Sequence, residues 1–282
     1  MQRLAEFTLR GPVYAAGVAA VAMLVPFLFW VGAAVTGLVT LRLGPGEGFK
    51  TGLWAFLPGA LWLFWGSDPA PLMVLALTLA MAVTLRVTVS WEQALLGGAL
   101  ASAVLAQVIP WLAPDFFGLL METAQTSYSE LEANLGEEAS PGEAGYELRD
   151  MMLAAVGFFL YAMAILSTGL ARGWQARLFN PEGLRREFHG FHLTVPVAVG
   201  LLLVIATAQY LSLAPITVTA VAAVPLTLAG LALVHGLIAK RGLGGGWLIG
   251  FYVALVILAP WLFLVLMIAA VIDSGFDVRQ RF

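Results

Sequence analysis

The chain has 282 residues, of which 61% are hydrophobic and 11% are charged, and its formal net charge is -3. Soluble domains carry roughly 45–50% apolar and about 25% charged residues, so this composition indicates an integral membrane protein. The absence of cysteine excludes disulfides and thiolate metal sites. No dense basic patch is present, which argues against a nucleic-acid partner.

The first apolar region spans residues 12–42 and follows Arg3 and Arg10. It continues past the small residues at which a signal peptide would be cleaved, which favours a retained membrane segment. One helix is the simpler alternative, but the region is long for a single crossing. A break at Pro26 is expected, because proline removes a backbone donor and clashes with the preceding turn. The two segments are then about 12–25 and 27–42.

Small residues recur four positions apart in the first of these segments. Ala15 and Ala19 form such a pair, and this spacing lets two helix backbones approach closely. The pair predicts either packing inside this chain or docking of a partner membrane helix.

Further apolar segments of membrane-spanning length follow along the chain. They lie at about 50–66, 71–87, 93–112, 150–171, 193–211, 215–239 and 247–272. The predicted fold is therefore all-α, a polytopic transmembrane bundle of about eight or nine membrane segments.

An acidic insert separates these segments into two groups. Nine acidic residues and a single basic residue, Arg149, lie between Asp115 and Asp150. Basic residues near membrane helices are retained in the cytoplasm, so this insert is expected outside and the amino terminus inside. The predicted parts are an amino-terminal subdomain (1–112), an external insert (113–149) and a carboxyl-terminal subdomain (150–282).

The insert itself carries a helical pattern. Apolar residues recur three and four apart, which predicts an amphipathic helix that ends at Gly136. The members of this stripe are Phe117, Leu120, Ala124, Tyr128, Leu131 and Leu135.

Four arginines place the connection 172–192 in the cytoplasm, where an interfacial helix is expected. Its apolar face comprises Leu184, Phe188 and Phe191. The arginines predicted to contact anionic lipid headgroups are Arg172, Arg177, Arg185 and Arg186.

Because successive membrane segments place successive connections on opposite sides, the sides of the remaining connections follow. This alternation puts Arg42, Lys50 and Arg86 inside and Asp68 outside. The carboxyl terminus then falls outside, against the charge of Arg279 and Arg281, unless the last segment bends back at Pro260.

The candidate binding residues lie at the predicted outer ends of the helices. Aromatic residues there are ordinary interface anchors, but with neighbouring amide and carboxylate groups they also suit the rim of a solute pocket. These residues are Trp62, Trp65, Asp68, Gln107, Gln209 and Tyr210.

We expect no enzyme, because no catalytic residue, cofactor motif or metal site is predicted. His189 and His192 have the spacing of a ligand pair but lack a third ligand. The glycine-rich turns at 44–48 and 244–246 lack the Lys-Ser or Lys-Thr ending of a phosphate-binding loop.

The stretch from Ala171 to His189, ARGWQARLFNPEGLRREFH, and the ending from Asp273 to Arg279, DSGFDVR, resemble the YybS-like family of bacterial multi-pass membrane proteins. The resemblance covers most of the chain. It implies this architecture and a place in the bacterial inner membrane, and it brings no catalytic residues.

The alanine pair and the turn from Leu43 to Gly48 have a more distant similarity to two other groups. One is the S components of energy-coupling-factor transporters, which implies a solute-binding subunit that docks onto a coupling subunit through Ala15 and Ala19. The other is the cell-shape protein MreD, which implies a non-transporting scaffold or assembly factor for envelope machinery. S components usually have six helices and no acidic insert, so no ligand residues carry over. The expected partners are the lipid bilayer, other membrane subunits or a second copy of the chain.

Overall fold

The computed structural model describes residues 2–135, 148–210 and 214–281, and within these ranges the chain forms helices and no strand. The helices before the acidic insert are α1 Gln2–Thr8, α2 Pro12–Leu24, α3 Phe29–Leu43, α4 Pro45–Gly66, α5 Ala70–Thr88 and α6 Trp91–Leu112. They are followed by α7 Pro114–Leu135, α8 Leu148–Phe179, α9 Gly183–Gly190, α10 Val195–Thr207, α11 Pro215–Lys240, α12 Gly245–Ile257, α13 Ala259–Phe276 and α14 Val278–Arg281. The all-α prediction is confirmed.

Five of the described helices are long and apolar enough to cross a membrane, namely α5, α6, α8, α11 and α13. The pair α9 and α10 adds a sixth span only if both helices, bent by 66°, count as one. With 13, 15 and 13 residues, α2, α3 and α12 are shorter than the roughly 20 residues that a crossing requires. The long apolar helices support the membrane class, whereas the predicted eight or nine segments are not confirmed.

The predicted break in the first apolar region is confirmed. α2 ends at Leu24 and α3 begins at Phe29, so Pro26 lies between them. Phe27 has a φ of 62°, a left-handed conformation that helps reverse the chain. The region therefore forms two short antiparallel helices.

The second of these, α3, is the central helix of the bundle. Every residue from Val31 to Leu41 is buried. A Cβ added at Gly32 would lie 2.7 Å from the carbonyl oxygen of Ala19 on α2, so these two backbones are nearly in contact. Close packing through small residues holds helices together in lipid, because no hydrophobic force acts between them there.

The main hydrophobic core contains helices from both sides of the acidic insert in the sequence. It joins buried residues of α3 and α5 to Leu153, Leu160 and Tyr161 of α8 and to Val221 of α11. A smaller cluster joins α10, α11 and α13. The predicted boundaries between subdomains at 112 and 150 stay a prediction, with α8 contributing to the same core as the helices before the insert.

The amphipathic helix predicted in the insert is present as α7. Phe117 is buried and Leu120, Ala124 and Tyr128 are half-buried, whereas Glu122 is exposed. The predicted helix end at Gly136 and the turn after it lie outside the described residues.

The last apolar region is broken next to Pro260, where a bend was predicted as the alternative to a single crossing. α12 ends at Ile257 and α13 begins at Ala259, with Pro260 in the first turn, where its missing N–H is tolerated. Lys240 Nζ donates a hydrogen bond to the carbonyl oxygen of Arg279 over 2.5 Å. The end of the chain thus returns to the end of the bundle where α11 stops.

Candidate functional site

The carboxyl ends of α3, α5 and α8 meet at one end of the bundle. The carbonyl oxygen of Leu41 accepts hydrogen bonds from Arg86 Nη1 and, over 3.0 Å, from Gln175 Nε2. The guanidinium of Arg42 lies 3.9 Å from the centre of the Phe179 ring. Arg42 and Arg86, which were both predicted on the inner side, therefore lie at the same end of the bundle. We call it the basic end.

At the basic end, Glu187 on α9 ties that helix to two others. Its carboxylate accepts hydrogen bonds from Arg172 on α8 and, over 3.1 Å, from Trp91 Nε1 on α6. The side chain of Arg172 is only 16% exposed, so it faces this ion pair and not the lipid headgroups for which it was predicted. Arg177, Arg185 and Arg186 are exposed, and their contact with headgroups stays a prediction.

The structure also divides the predicted interfacial helix 172–192. α8 continues to Phe179 without interruption, because it contains no proline and Gly169 and Gly173 do not break it; the first proline after its start is Pro181. Only Gly183–Gly190 forms a separate helix, and its apolar residues Leu184 and Phe188 face the protein.

A buried ion pair attaches the end of the chain to α9. Asp273 and Arg279 approach to 3.3 Å, and their side chains are 3% and 13% exposed. Arg279 also donates to the carbonyl oxygens of His189, over 2.6 Å, and Phe191, over 2.5 Å. The two stretches on which the YybS-like resemblance rests are thereby in direct contact.

A cavity of about 570 Å³ lies between α6, α8, α9 and α11 at this basic end. Its wall is largely apolar, with three polar side chains, Arg185, His189 and His235. The lining residues are Trp91, Leu95, Ile165, Leu166, Gly169, Leu170, Leu184, Arg185, Phe188, His189, Phe191, Leu228 and His235.

The two histidines of the cavity differ in their partners. His235 Nε2 lies 2.8 Å from the hydroxyl of Tyr252 on α12, within hydrogen-bond distance. His189 contacts the His235 ring at a centroid distance of 6.3 Å. Partial burial lowers the pKa of His189, and the positive charges of Arg185 and Arg279 lower it further. We therefore expect a neutral His189 at pH 7. His192, its partner in the sequence pattern, is exposed and lies 3.0 Å from the carbonyl oxygen of Gly190.

None of the six predicted binding residues lines the cavity at the basic end. Trp62 Nε1 donates to the carbonyl oxygen of Met23 over 3.0 Å, and Gln107 Nε2 lies 3.5 Å from Thr217 Oγ1. Trp65 is 84% exposed, and Gln209 and Tyr210 are exposed as well. These side chains serve packing or face outward, and the cavity at the basic end is lined by other residues.

Asp68, the acidic member of that set, has a structural role at the start of α5. Its Oδ1 accepts a hydrogen bond from the backbone N–H of Ala70 over 2.9 Å. Burial raises the pKa of this carboxyl, and the Ala70 hydrogen bond opposes the rise. A nearby cavity of about 300 Å³ is apolar, with Pro69, Ala70 and Phe116 among its lining residues.

Of the two interpretations of the alanine pair, the structure shows internal packing. Ala15 and Ala19 are 2% and 0% exposed, so neither is accessible to a partner helix. The neighbouring small residues Ala16, Gly17 and Ala20 instead line an outward groove of about 790 Å³ between α2 and α4.

Sequence reasoning missed the cavity at the basic end. The sequence pairs His189 only with His192, whereas the cavity joins distant positions of the chain. Trp91 and Glu187, which are hydrogen-bonded beside it, are separated by 96 residues. A rare polar residue in an apolar helix, such as His235, is the one signal that points to the site.

These features define a class: a helical protein whose described residues include five helices long and apolar enough to cross a membrane, with a largely apolar cavity at the basic end. No protein-family model, no curated protein and no solved structure matches the chain.

Proposed function

We propose that this chain is a membrane-embedded binding protein that holds a small ligand in the cavity between α6, α8, α9 and α11. In this proposal it is the solute-binding subunit of a transport system in the bacterial inner membrane, with the basic end in the cytoplasm. The cavity is the observation that carries the proposal. Small-ligand sites typically measure roughly 300–1,000 Å³ and combine apolar walls with a few polar groups, and this cavity of about 570 Å³ agrees with both.

The polar groups of the cavity support binding more than catalysis. His235 is paired with Tyr252, and the indole N–H of Trp91 is bound by Glu187. An acid–base catalyst needs a group free to exchange a proton with a substrate. His189 lacks such a partner, but no nucleophile and no second unpaired acid–base group lies beside it among the described lining residues. We therefore propose that the chain binds a ligand and performs no chemistry on it.

The location of the cavity changes the site proposed for the solute. The sequence placed solute entry at the outer end, near Trp62 and Asp68, but these residues are used in contacts within the protein. The proposed site lies instead beside Arg185 and His189. The ligand reaches it from the basic end or from the membrane.

The groove between α2 and α4 supports a second candidate function. Ala16, Gly17 and Ala20 face outward there, beside Trp54 and Leu57. Small residues on a lipid-facing surface favour helix association. In this alternative the chain is a scaffold or assembly factor, and the groove receives a helix of the partner.

Glycine substitutions provide a test of the cavity proposal. A Cβ added at Gly169 would meet no atom within 4 Å although the residue lines the cavity, so the side chain of Gly169→Leu would occupy part of the cavity from a Cβ that displaces no wall atom. Gly97 on α6 is also free of neighbours and lies outside the cavity, which makes Gly97→Leu the matched control.

The assay is thermal stabilisation of purified protein across a panel of vitamins, metabolites and lipids. A ligand at 100 times its Kd adds about 2.7 kcal/mol to the stability of the folded state. We expect at least one compound to stabilise the wild type and Gly97→Leu but not Gly169→Leu. Equal stabilisation of all three proteins, or none by any compound, would overturn the proposal.

Affinity purification in mild detergent tests the scaffold alternative separately. A leucine at Gly17 would fill the α2–α4 groove, and a Cβ there meets no atom within 4 Å. A scaffold would lose its membrane partner in Gly17→Leu and keep it in Gly169→Leu. Retention of every partner by Gly17→Leu would exclude this groove as the docking surface.

A further inference from the structure

We propose that the ligand of this cavity is an anionic amphiphile, an apolar chain that ends in a carboxylate or phosphate group. This inference rests on the proposed binding function and adds the class of ligand. The chain would lie along α8 inside the cavity, and the anionic head would lie at the mouth beside Arg185 and His189.

The inner wall of the cavity suits an apolar chain. Leu166, Leu170 and Leu228 line it, and Gly169 leaves open space between the two leucines of α8. The polar groups of the wall lie towards α9 and the end of α11. A ligand that is polar along its whole length would leave its hydrogen-bonding groups without partners against these leucines, which is costly.

The charges at the mouth favour an anion over a cation or a neutral head. Two nearby carboxylates are occupied by arginines. Glu187, which binds the lining residue Trp91, pairs with Arg172. Asp273 pairs with Arg279, which binds the backbone of His189. Arg185 uses one nitrogen in a 3.3 Å ion pair with Glu182, and both side chains of that pair are about two-thirds exposed. An exposed pair of this kind contributes little energy, so a ligand anion can replace Glu182 as the partner of Arg185.

His189 supplies a second polar contact for the head. Neither of its ring nitrogens has a hydrogen-bond partner among the described residues, although the ring lines the cavity. A neutral imidazole can donate one hydrogen bond to a carboxylate or phosphate oxygen. Arg185 and His189 are one helical turn apart on α9, so both can reach the same head group.

The orientation of α9 places these groups at a suitable depth. Leu184 and Phe188 face the cavity, while Arg186 is exposed and bonds to Asn180 over 3.0 Å. A helix with one apolar and one basic face typically lies in the membrane interface. An amphiphile in the surrounding lipid has its head at this level and its chain below it. The cavity has the same arrangement, with Arg185 and His189 on α9 and the leucines on α8 and α11.

Quenching of Trp91 by brominated probes tests the inference. The full chain is reconstituted in nanodiscs of phosphatidylcholine, and Trp91→Phe identifies the part of the quenching that comes from this cavity residue. The probes are four dibrominated stearyl compounds that share one chain and carry a carboxylate, phosphate, hydroxyl or trimethylammonium head. We expect the carboxylate or phosphate probe to bind about tenfold or more tightly than the alcohol, since one charge-assisted contact contributes roughly that factor.

Three variants separate the head from the chain. Arg185→Gln should remove most of the preference for the anion over the alcohol, whereas Arg177→Gln, on an exposed arginine outside the cavity, should leave this preference as it is in the wild type. Gly169→Leu should block every probe.

The outcomes distinguish the inference from the function on which it rests. Equal binding of alcohol and anion, or preference for trimethylammonium, with Gly169→Leu still blocking, overturns the ligand class and leaves the binding function in place. Displacement of the probe by inorganic phosphate alone also overturns it, because the apolar chain would then be unnecessary. A lack of Trp91-dependent quenching by every probe refutes binding of these chains altogether.

Discussion

The ion pair between Asp273 and Arg279 should be the most sensitive polar contact at the basic end. Replacing Arg279 with methionine leaves the Asp273 carboxylate 3% exposed and without its cation. Loss of one member of a buried pair typically costs about 3–5 kcal/mol. The backbone N–H of Val278 still donates to Asp273 Oδ1 over 3.0 Å, so we expect the low end, about 3 kcal/mol, for Arg279→Met.

Far-UV circular dichroism during titration of mixed micelles with SDS measures this loss of stability. Asp277→Asn is the matched control, because Asp277 is exposed and asparagine tolerates its φ of 43°. We expect the control to change stability by less than about 0.5 kcal/mol. The double variant Asp273→Leu with Arg279→Met should recover the part of the loss that comes from the unpaired charge, while the carbonyl oxygens of His189 and Phe191 still lack their donor. A cost below about 1 kcal/mol for Arg279→Met would refute the reasoning.

Four further outcomes are expected. Gly230→Ala should destabilise the protein by about 1–3 kcal/mol, because its Cβ would overlap the backbone of Leu266, whereas Gly97→Ala, where nothing is near, should be neutral or stabilising in the same SDS titration. Tyr161→Phe should cost about 0.5–1.5 kcal/mol by the same measurement, since the buried hydroxyl donates to the Leu95 carbonyl oxygen over 2.6 Å. Burial raises the pKa of the Asp68 carboxyl above its ordinary value of 3.8, so folding stability should fall as pH rises from 3.8 through the raised pKa. Asp68→Asn should remove this pH dependence and keep the hydrogen bond to Ala70, while Asp68→Ala should cost roughly 0.5–2 kcal/mol. Topology reporters fused at Arg185 and at the carboxyl terminus should report the same side of the membrane and one at Asn134 the opposite side; a carboxyl-terminal fusion that agrees with Asn134 would contradict the return of α13.

The helical class and the breaks in the apolar regions were predictable because their signals are local. Pro26 and Pro260 lie at or next to the two breaks, since proline removes a backbone donor. Prolines also lie inside α4, α6 and α11, so proline alone does not determine a break. The half-buried stripe of α7 follows from the spacing of Phe117 and Leu120 alone. Each of these predictions depends on fewer than about two turns of sequence and needs no knowledge of the neighbouring helices.

The candidate site was not predictable in this way, since it depends on contacts between distant parts of the chain. Arg279 binds the carbonyl oxygens of His189 and Phe191, residues 90 and 88 positions earlier. In the sequence, the charge of Arg279 indicated only on which side of the membrane the carboxyl terminus lies. The residues at the outer ends were predicted to bind a solute because of their residue types. In the structure, Trp62 and Asp68 are occupied by hydrogen bonds to nearby backbone.

The number of membrane crossings was the least predictable property, for a physical reason that α3 illustrates. Hydropathy measures the affinity of a segment for an apolar surrounding, and it does not distinguish lipid from the interior of a protein. α3 has the composition of a membrane segment, yet it has 15 residues and is buried without interruption from Val31 to Leu41. Its surroundings are therefore other helices, and its length is free from the constraint that membrane thickness places on a lipid-facing span. An apolar helix rich in Gly, Ala and Thr, such as this one, can form the packing centre of a bundle, and its apolar composition alone does not count it as a crossing.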